Sequence, residues 1–188
     1  MPGLDHFGLL APWYDKLITY NDVDEIKKIA ALPAAGNLLD IGGGTGRVAS
    51  SLVGLIDKIV VVDISFEMLK IARGKGLSAI CALGEVLPYP SKSFSRALIV
   101  DALHHCINQK EVLRDVWRVL QTEGLLVIIE PNYDHLAGKV IRLFEKLILM
   151  KSHFLSDSSI VSLIADFTDN IRVQHYKGNS WFMVKKSK

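Results

Sequence analysis

The chain has 188 residues, a length that suits one domain built around one hydrophobic core. Hydrophobic residues make up 49% of it and charged residues 22%, which is ordinary for a globular protein. The formal net charge of +2 gives no electrostatic basis for nucleic-acid binding, and the basic tail of Lys185, Lys186 and Lys188 is predicted to be a solvated end.

The two cysteines, Cys81 and Cys106, stand without C-x-x-C or zinc-ligand spacing. This usage predicts a reduced, intracellular setting and no metal site. The first residues lack the charged region and apolar run of a secretory signal, and no uncharged stretch approaches the roughly 20 residues that span a bilayer. We therefore expect a single domain over residues 1–188, a cytoplasmic location and no membrane span.

Residues 1–35 are predicted to form an N-terminal cap of helices. Pro12 interrupts the first of them and leaves a segment that can fold over a pocket, with Trp13 and Tyr14 placed to close it. A second helix is predicted over residues 23–32, because polar capping residues precede it and a proline follows it.

The stretch LLDIGGGTG, from Leu38 to Gly46, is the most informative part of the chain. Its apolar residues end a short buried strand, and its glycines remove side chains where the chain must turn sharply. A helix is predicted over Arg47–Leu55, so the unit is a strand, a glycine turn and a helix, which brings backbone close to a nucleotide-like ligand. The carboxylate of Asp40 is expected near the mouth of this turn. The spaced positions of the pattern D-x-G-x-G-x-G are Asp40, Gly42, Gly44 and Gly46.

The glycine spacing bears on which ligand the turn takes. A dinucleotide fingerprint, G-x-G-x-x-G, places its third glycine where Arg47 stands, so a nicotinamide-dependent oxidoreductase is the weaker alternative. The pattern and its apolar lead-in resemble motif I of the class I S-adenosylmethionine (SAM) dependent methyltransferases.

Apolar runs and helical patterns alternate along the rest of the chain. Continuous Ile and Val runs are typical of parallel strands buried on both faces. Strands are predicted at Lys58–Asp63, Leu77–Ala82, Arg96–Asp101 and Leu125–Glu130, with helices from Phe66 to about Gly74 and from Lys110 to Leu120. Two more strands, Val173–Tyr176 and Ser180–Val184, are predicted to form a hairpin around Gly178 and Asn179. The layout predicts an α/β fold with a doubly wound, mostly parallel, seven-stranded Rossmann-like sheet that ends in this antiparallel hairpin.

Three further segments resemble the same family. Gly84–Pro90, with Phe94 after a gap, resembles the family's D-A-E-x-L-P-F-P-x-x-x-F-D loop. Glu111–Gly124 resembles its E-x-x-R-V-L-x-P-G-G segment, and Leu103–His105 resembles the A-L-H-H segment after the fourth strand. Over residues 38 to about 131, the chain is identified as a member of the small-molecule branch that includes the ubiquinone and menaquinone biosynthesis C-methyltransferases.

The resemblance implies SAM as cofactor and S-adenosylhomocysteine (SAH) as its product. Asp63, at the end of the second strand, can accept both ribose hydroxyls, and Ile64 would flank the adenine. Leu83 stands where family members carry an acid that contacts adenine, so adenine recognition is expected from backbone groups and Glu85. Asp101 and the residue after it should lie beside the methionine portion. The predicted cofactor-binding residues are Asp40, Gly42, Gly44, Gly46, Asp63, Ile64, Glu85, Val86, Asp101 and Ala102.

Methyl transfer is an in-line attack on a sulfonium carbon, so the protein mainly orients the reactants, excludes water and in some cases supplies a base. His104 and His105 are the candidate catalytic residues, because an unperturbed imidazole pKa of about 6.5 suits a base. A structural or helix-capping role is the alternative for either. Two adjacent histidines do not make a metal site, since their spacing points them apart.

Residues 132–168 form an insertion after the fifth strand that is predicted to shape the acceptor pocket. Residues 139–151 place a broad apolar stripe on one helix face. Such a stripe most often packs in a core. A lid over an apolar acceptor, a homodimer contact and a helix on a membrane surface are the alternatives.

The leading hypothesis is a SAM-dependent methyltransferase that acts on a small apolar or aromatic acceptor. No N-P-P-Y type tetrad follows the fourth strand, which disfavours a nucleobase amine or a glutamine as acceptor. The alternative is a non-catalytic SAM-binding or interaction protein, because Leu83 and Ser95 depart from the family pattern.

Overall fold

The computed structural model describes residues 11, 14–15, 22–132 and 153–187. Helices and strands alternate through most of this chain, with a 3₁₀ turn at Leu103–His105. The helices are α1 (Val23–Ile29), α2 (Arg47–Ser50), α3 (Phe66–Gly74), α4 (Gln109–Val119) and α5 (Asp157–Ala165). The strands are β1 (Asn37–Ile41), β2 (Lys58–Asp63), β3 (Ser78–Cys81), β4 (Phe94–Val100), β5 (Leu120–Pro131), β6 (Ile171–Tyr176) and β7 (Asn179–Lys185).

The seven strands of the described residues form one sheet in the order β3-β2-β1-β4-β5-β7-β6. Strands β1 to β5 run parallel, and β7 pairs antiparallel with both β5 and β6. This arrangement confirms the predicted doubly wound, Rossmann-like sheet with its terminal hairpin. The strand order reverses between β1 and β4, and ligands of such sheets bind where that reversal opens a crevice at the carboxyl ends.

Apolar side chains cover both faces of the sheet. Leu38 and Leu39 are both fully buried, and they join different cores because neighbouring residues of a strand point to opposite faces. Trp181 and Phe182 divide between the faces in the same way. Buried residues of α1, α2 and α3 pack on one face, and those of α4 and α5 pack on the other. The sheet is therefore covered on both sides, as its continuous apolar strands require.

The helix after the glycine turn is shorter than predicted. It ends at Ser50, whereas the apolar spacing predicted a helix to Leu55. The N–H groups of Ser51 and Leu52 bond to carbonyls three residues earlier, each at 3.0 Å, which is the tighter 3₁₀ pattern. Gly54 then takes a φ of +83°, which ends any helix. Leu52 is still fully buried, so the spacing predicted the buried face correctly and the helix length wrongly.

Strand β5 begins five residues earlier than predicted, at Leu120. Leu120 pairs with Phe94 across the sheet, and the carbonyl of Gly124 accepts a hydrogen bond from the N–H of Lys186 at 2.9 Å. This pairing and this hydrogen bond hold residues 120–124 in the sheet, although their sequence has no apolar pattern.

The terminal hairpin turns one residue before the predicted position. Lys177 and Gly178 both have positive φ, +49° and +81°, as a two-residue hairpin turn requires. Asn179 is consequently the first residue of β7.

The predicted apolar helix over 139–151 and about half of the cap over 1–35, including Trp13, lie outside the described residues. Within the described part of the chain, no helix is long and apolar enough to cross a membrane.

The packing of Trp181 generates a prediction about stability. Trp181 is fully buried, and its indole N–H has no hydrogen-bond partner among the described residues. We expect Trp181→Ala to lower the free energy of unfolding by about 3–5 kcal/mol, because it leaves a large cavity. Trp181→Phe should cost about 1.5 kcal/mol or less, since it breaks no described hydrogen bond. Urea denaturation of both variants checks this, and equal losses would contradict the packing described.

Candidate functional site

A cleft opens at the carboxyl ends of β1, β2 and β4. Its volume is about 820 Å³, counting the open mouth. The predicted residues in its walls are Gly42, Gly44, Asp63, Ile64, Glu85, Asp101, Ala102 and His105. Four other predicted residues, Asp40, Gly46, Val86 and His104, lie outside these walls.

The glycines of the turn serve two different purposes. Gly42 and Gly44 face the cleft with φ of +67° and +55°. A Cβ on Gly42 would lie 2.5 Å from the Cβ of Ala102, so only glycine lets the turn approach the end of β4. Gly46 has a φ of +70°, and a side chain there would collide with Leu77. Gly46 therefore allows close packing beneath the cleft.

Asp63 ties the glycine turn to the start of α3. One carboxylate oxygen, Oδ2, accepts the Gly44 N–H at 2.9 Å, and Oδ1 accepts the Ser65 N–H at 2.8 Å. The hydroxyl of Ser65 in turn accepts the N–H of Met68 at 3.4 Å and caps the helix. Asp63 also lines the cleft, where a carboxylate can accept hydrogen bonds from a pair of hydroxyls.

Apolar and acidic residues border the cleft beside Asp63. Ile64 and Leu83 line the cleft, yet their side chains are 65% and 55% exposed. This side of the cleft is therefore apolar and open. Glu85 also lines it, and its Oε1 accepts the Asn108 N–H at 3.3 Å. Val86 is 70% exposed and is not among the residues that line the cleft.

Asp40 lies deeper than the sequence predicted. Instead of reaching the mouth of the turn, its side chain lies under Gly43 and is 1% exposed. Burial raises the pKa of this carboxyl to about 7, against the opposing effect of the Arg47 guanidinium. Its Oδ2 has no hydrogen-bond partner among the described residues. It lines a second, smaller cavity together with Tyr14, Arg47 and residues of the glycine turn.

The turn after β4 is held in a strained conformation. Asp101 has a φ of +51°, which is uncommon for a residue with a side chain and marks stored strain. Its N–H bonds to the carbonyl of Ile129 at 2.9 Å, and its carboxylate lies 3.7 Å from the guanidinium of Arg47. Asp101 and Ala102 consequently line the cleft opposite the glycine turn.

Glu130, at the end of β5, fixes that turn from behind. Its Oε1 accepts the N–H groups of Ala102 at 3.1 Å and Leu103 at 2.8 Å, and its Oε2 lies 2.5 Å from Nδ1 of His104. The carboxylate is 3% exposed. Sequence reasoning missed this residue. The sequence contained a signal for it, because Glu130 ends the buried run LLVIIE just as Asp63 ends the run KIVVVD.

The two histidines have different surroundings. His104 is 3% exposed, bonds to Glu130 and stacks on Phe154, with ring centroids 5.7 Å apart. His105 lines the cleft, and its ring centroid lies 3.9 Å from that of His104. The geometry therefore gives His104 a supporting position, and His105 a position from which it can reach a bound molecule.

Tyr14 and Asp15 bring the first segment to the cleft, as predicted for Tyr14. The carboxylate of Asp15 accepts the Thr45 hydroxyl at 2.6 Å and the Lys75 ammonium at 2.5 Å. Burial opposes ionisation of Asp15, but these hydrogen bonds outweigh it and lower the pKa. Tyr14 lines both cavities, and burial raises the pKa of its phenol. The hydroxyl of Thr45 in the glycine turn therefore anchors Asp15 and the neighbouring Tyr14.

Cys106 and Ile107 complete the wall beside His105. Burial raises the pKa of the Cys106 thiol to about 12, so the thiol stays protonated and is a poor nucleophile. Ile107 is 86% exposed at the rim. Among the described residues, no group of three His, Cys, Asp or Glu side chains is placed to hold a metal ion.

Comparison with known proteins bears on the cofactor. Residues 39–128 match the family model described as a methyltransferase domain. An uncharacterized protein of Methanocaldococcus jannaschii is 35% identical over 159 residues, which cover 83% of this chain and 74% of that protein. The ubiquinone/menaquinone biosynthesis C-methyltransferase of Hahella chejuensis is 34% identical over 108 residues, 52% of this chain. The match spans 43% of the length of that relative.

Solved structures show the same fold. A SAM-dependent methyltransferase from Thermotoga maritima superposes with a TM-score of 0.81 at 22% identity, over 96% of this chain and 98% of the other. The matched domain includes the glycine turn, Asp63 and the end of β4, which together form the cleft. Residues 39–128 are a methyltransferase domain, the matches support a class I SAM-dependent methyltransferase, and SAM is the cofactor that this family implies.

Proposed function

We propose that the protein transfers a methyl group from SAM to a small apolar or aromatic acceptor. The observation that carries this proposal is that one cleft joins the glycine turn and Asp63 to the wall formed by His105, Cys106 and Ile107. Cofactor and acceptor would therefore share a single cavity, as methyl transfer requires.

The residues present fit SAM along the length of the cleft. Asp63 offers two oxygens to a pair of ribose hydroxyls, and the exposed side chains of Ile64 and Leu83 offer apolar surface to adenine. The turn at Gly44 leaves backbone, not side chain, against the ligand. At the other end the buried carboxyl of Asp40 lacks a described partner, and an ammonium group would supply one.

SAM supplies an activated methyl group on a sulfonium when it is bound. The chain's contribution is to bind, orient and exclude water. Asp63 and the glycine turn would fix the adenosine, while Glu130 holds Ala102 and Leu103 so that the end of β4 keeps one position. Tyr14, anchored through Asp15, closes the cleft from the side of the first segment.

His105 is the proposed base for an acceptor that loses a proton. It is the histidine that reaches the cleft among the described residues, and the buried pair His104–Glu130 supports it from behind. Cys106 stays protonated, so it contributes apolar surface. The apolar character of Cys106 and Ile107 supports an apolar or aromatic acceptor, and quinone-like and phenolic compounds are the first to screen.

A second candidate function is SAM binding without catalysis. The observation that favours it is Leu83, which lines the cleft where family members carry an acid. An apolar contact in that place preserves adenine stacking and loses one hydrogen bond, so binding is expected to persist. Homodimerisation, contact of residues 139–151 with a membrane surface and a cytoplasmic location stay predictions.

The position of Asp63 generates a prediction about cofactor affinity. Asp63→Asn should weaken SAH binding by about 10- to 100-fold, because charged hydrogen bonds to the ribose are replaced by neutral ones. Isothermal titration calorimetry with SAH measures this. Asp57→Asn is the matched control, since Asp57 also accepts a glycine N–H, that of Gly36 at 2.7 Å, and does not line the cleft. Unchanged affinity in Asp63→Asn would contradict the assignment.

The buried carboxyl of Asp40 generates a prediction about pH. In the free protein it holds its proton below about pH 7, whereas an adjacent ligand ammonium would favour the ionised form. Binding of SAH at pH 6 should therefore release close to one proton, and affinity should rise up to about tenfold per pH unit until about pH 7. Calorimetry in buffers of different ionisation enthalpy counts the proton. Asp40→Asn should abolish the release, and release that persists in that variant would exclude Asp40 as its source.

His105 generates a prediction about turnover. Once screening yields an acceptor with an acidic proton, His105→Gln should lower kcat about 10²- to 10⁴-fold and leave the Kd for SAH within threefold. Steady-state kinetics and calorimetry measure the two values. His175→Gln, in a half-exposed histidine on β6, is the control. A loss that appears only in SAH affinity would assign His105 to cofactor binding instead.

A further inference from the structure

We propose that Gln109 is a positioning residue for the acceptor end of the cleft, where its side-chain amide holds residues 153–154 against the turn that carries His105. This inference rests on the proposed function, because it concerns the wall against which the acceptor would lie. Gln109 does not line the cleft, so it would act through the backbone of the turn.

The amide of Gln109 joins two stretches of backbone that are far apart in the sequence. Gln109 is the first residue of α4 and is 8% exposed. Its Nε2 donates to the carbonyl of Leu103 at 3.0 Å and to the carbonyl of His153 at 2.6 Å. Both acceptors are carbonyl oxygens, so only the NH₂ end of the amide can serve them, with one hydrogen for each. We call this pair of hydrogen bonds the Gln109 clamp.

Two further contacts join the same stretches of chain. The N–H of His153 donates to the carbonyl of His104 at 2.6 Å, and the ring of Phe154 stacks on that of His104. Residues 153–154 therefore lie directly against the 3₁₀ turn. They belong to the insertion over residues 132–168 that the sequence predicts to shape the acceptor pocket. The Gln109 clamp thus connects this insertion to the turn.

The clamped turn leads directly into the wall on the acceptor side. The carbonyl of Leu103, which Gln109 holds, also accepts the N–H of Cys106 at 3.0 Å. Cys106 and the preceding His105 both line the cleft. A shift of that carbonyl would therefore move the proposed base, and a misplacement of about 1 Å can cost about 100-fold in rate.

The two ends of the turn are held by different side chains. Glu130 accepts the N–H groups of Ala102 and Leu103, whereas Gln109 donates to the carbonyl of Leu103. At the other end of the cleft, Asp63 holds the glycine turn. We therefore expect loss of the Gln109 clamp to impair methyl transfer and to leave cofactor binding nearly unchanged.

The first test uses Cys106 as a reporter and needs no acceptor. Burial raises the pKa of its thiol to about 12, so the thiol should react slowly with iodoacetamide. The exposed Cys81 is first replaced by serine. In this Cys81→Ser background, Gln109→Met keeps the length of the side chain and loses both donors, so alkylation of Cys106 should be about 10-fold faster. Mass spectrometry of the intact protein measures the rate.

The second test separates positioning from stability. Once screening yields an acceptor, Gln109→Met should lower kcat about 10- to 100-fold and leave the Kd for SAH within about twofold. Gln109→Glu should have the same effects, because a carboxylate also lacks the two donors. Gln174→Met, on β6 and outside the walls of the cleft, is the control and should change neither these values nor the alkylation rate.

The outcomes distinguish this proposal from the proposed function. An unchanged alkylation rate in Gln109→Met would overturn the positioning role, and so would faster alkylation with an unchanged kcat. Failure of both Gln109 variants to fold, or equal losses of kcat and SAH affinity, would assign Gln109 to stability and overturn it as well. A wild-type protein that does not bind SAH would overturn the proposed function, and the alkylation rates would still show whether Gln109 holds the turn.

Discussion

The hydrogen bond from the Gly44 N–H to Asp63 is the contact on which the site depends. It joins the turn after β1 to the end of β2, and the other oxygen of the same carboxylate holds the start of α3. One side chain thereby fixes the relative positions of a glycine loop, a strand end and a helix. Four of the five residues 42–46 are glycines without a side chain to pack, so an external acceptor is a physical means of holding the loop in one shape.

Glu130 has the same function on the opposite side of the cleft. Its carboxylate accepts two consecutive backbone N–H groups and bonds to His104, so a buried charge is compensated by three partners. The strain at Asp101 can persist because these bonds and the Asp101–Ile129 bond over-determine the turn. Two strand-terminal acids, Asp63 and Glu130, therefore position the two walls between which a methyl group would move.

The two ends of the cleft differ in how many charged and hydrogen-bonding groups they offer to a ligand. Around the glycine turn, the cleft and the smaller cavity are lined by charged and hydrogen-bonding groups, among them Asp40, Arg47 and Asp63. On the side of His105 the wall consists of Cys106 and Ile107, which offer apolar contact and few directional groups. A fold of this kind fixes cofactor chemistry more firmly than acceptor identity.

The sequence by itself determined the sheet, the glycine turn and Asp63, because buried strands, glycines and strand-terminal acids are local patterns. It predicted Tyr14 beside the pocket and named His104 and His105 as candidate residues, of which His105 lines the cleft. Only the tertiary structure decided that Asp40 lies beneath Gly43 and that His104 is buried against Glu130 instead of lining the cleft. It also decided that Glu130 holds the turn after β4 and that Arg47 lines the smaller cavity. These outcomes depend on contacts between residues far apart in the chain, such as Glu130 with Ala102, and spacing along the sequence carries no direct information about them.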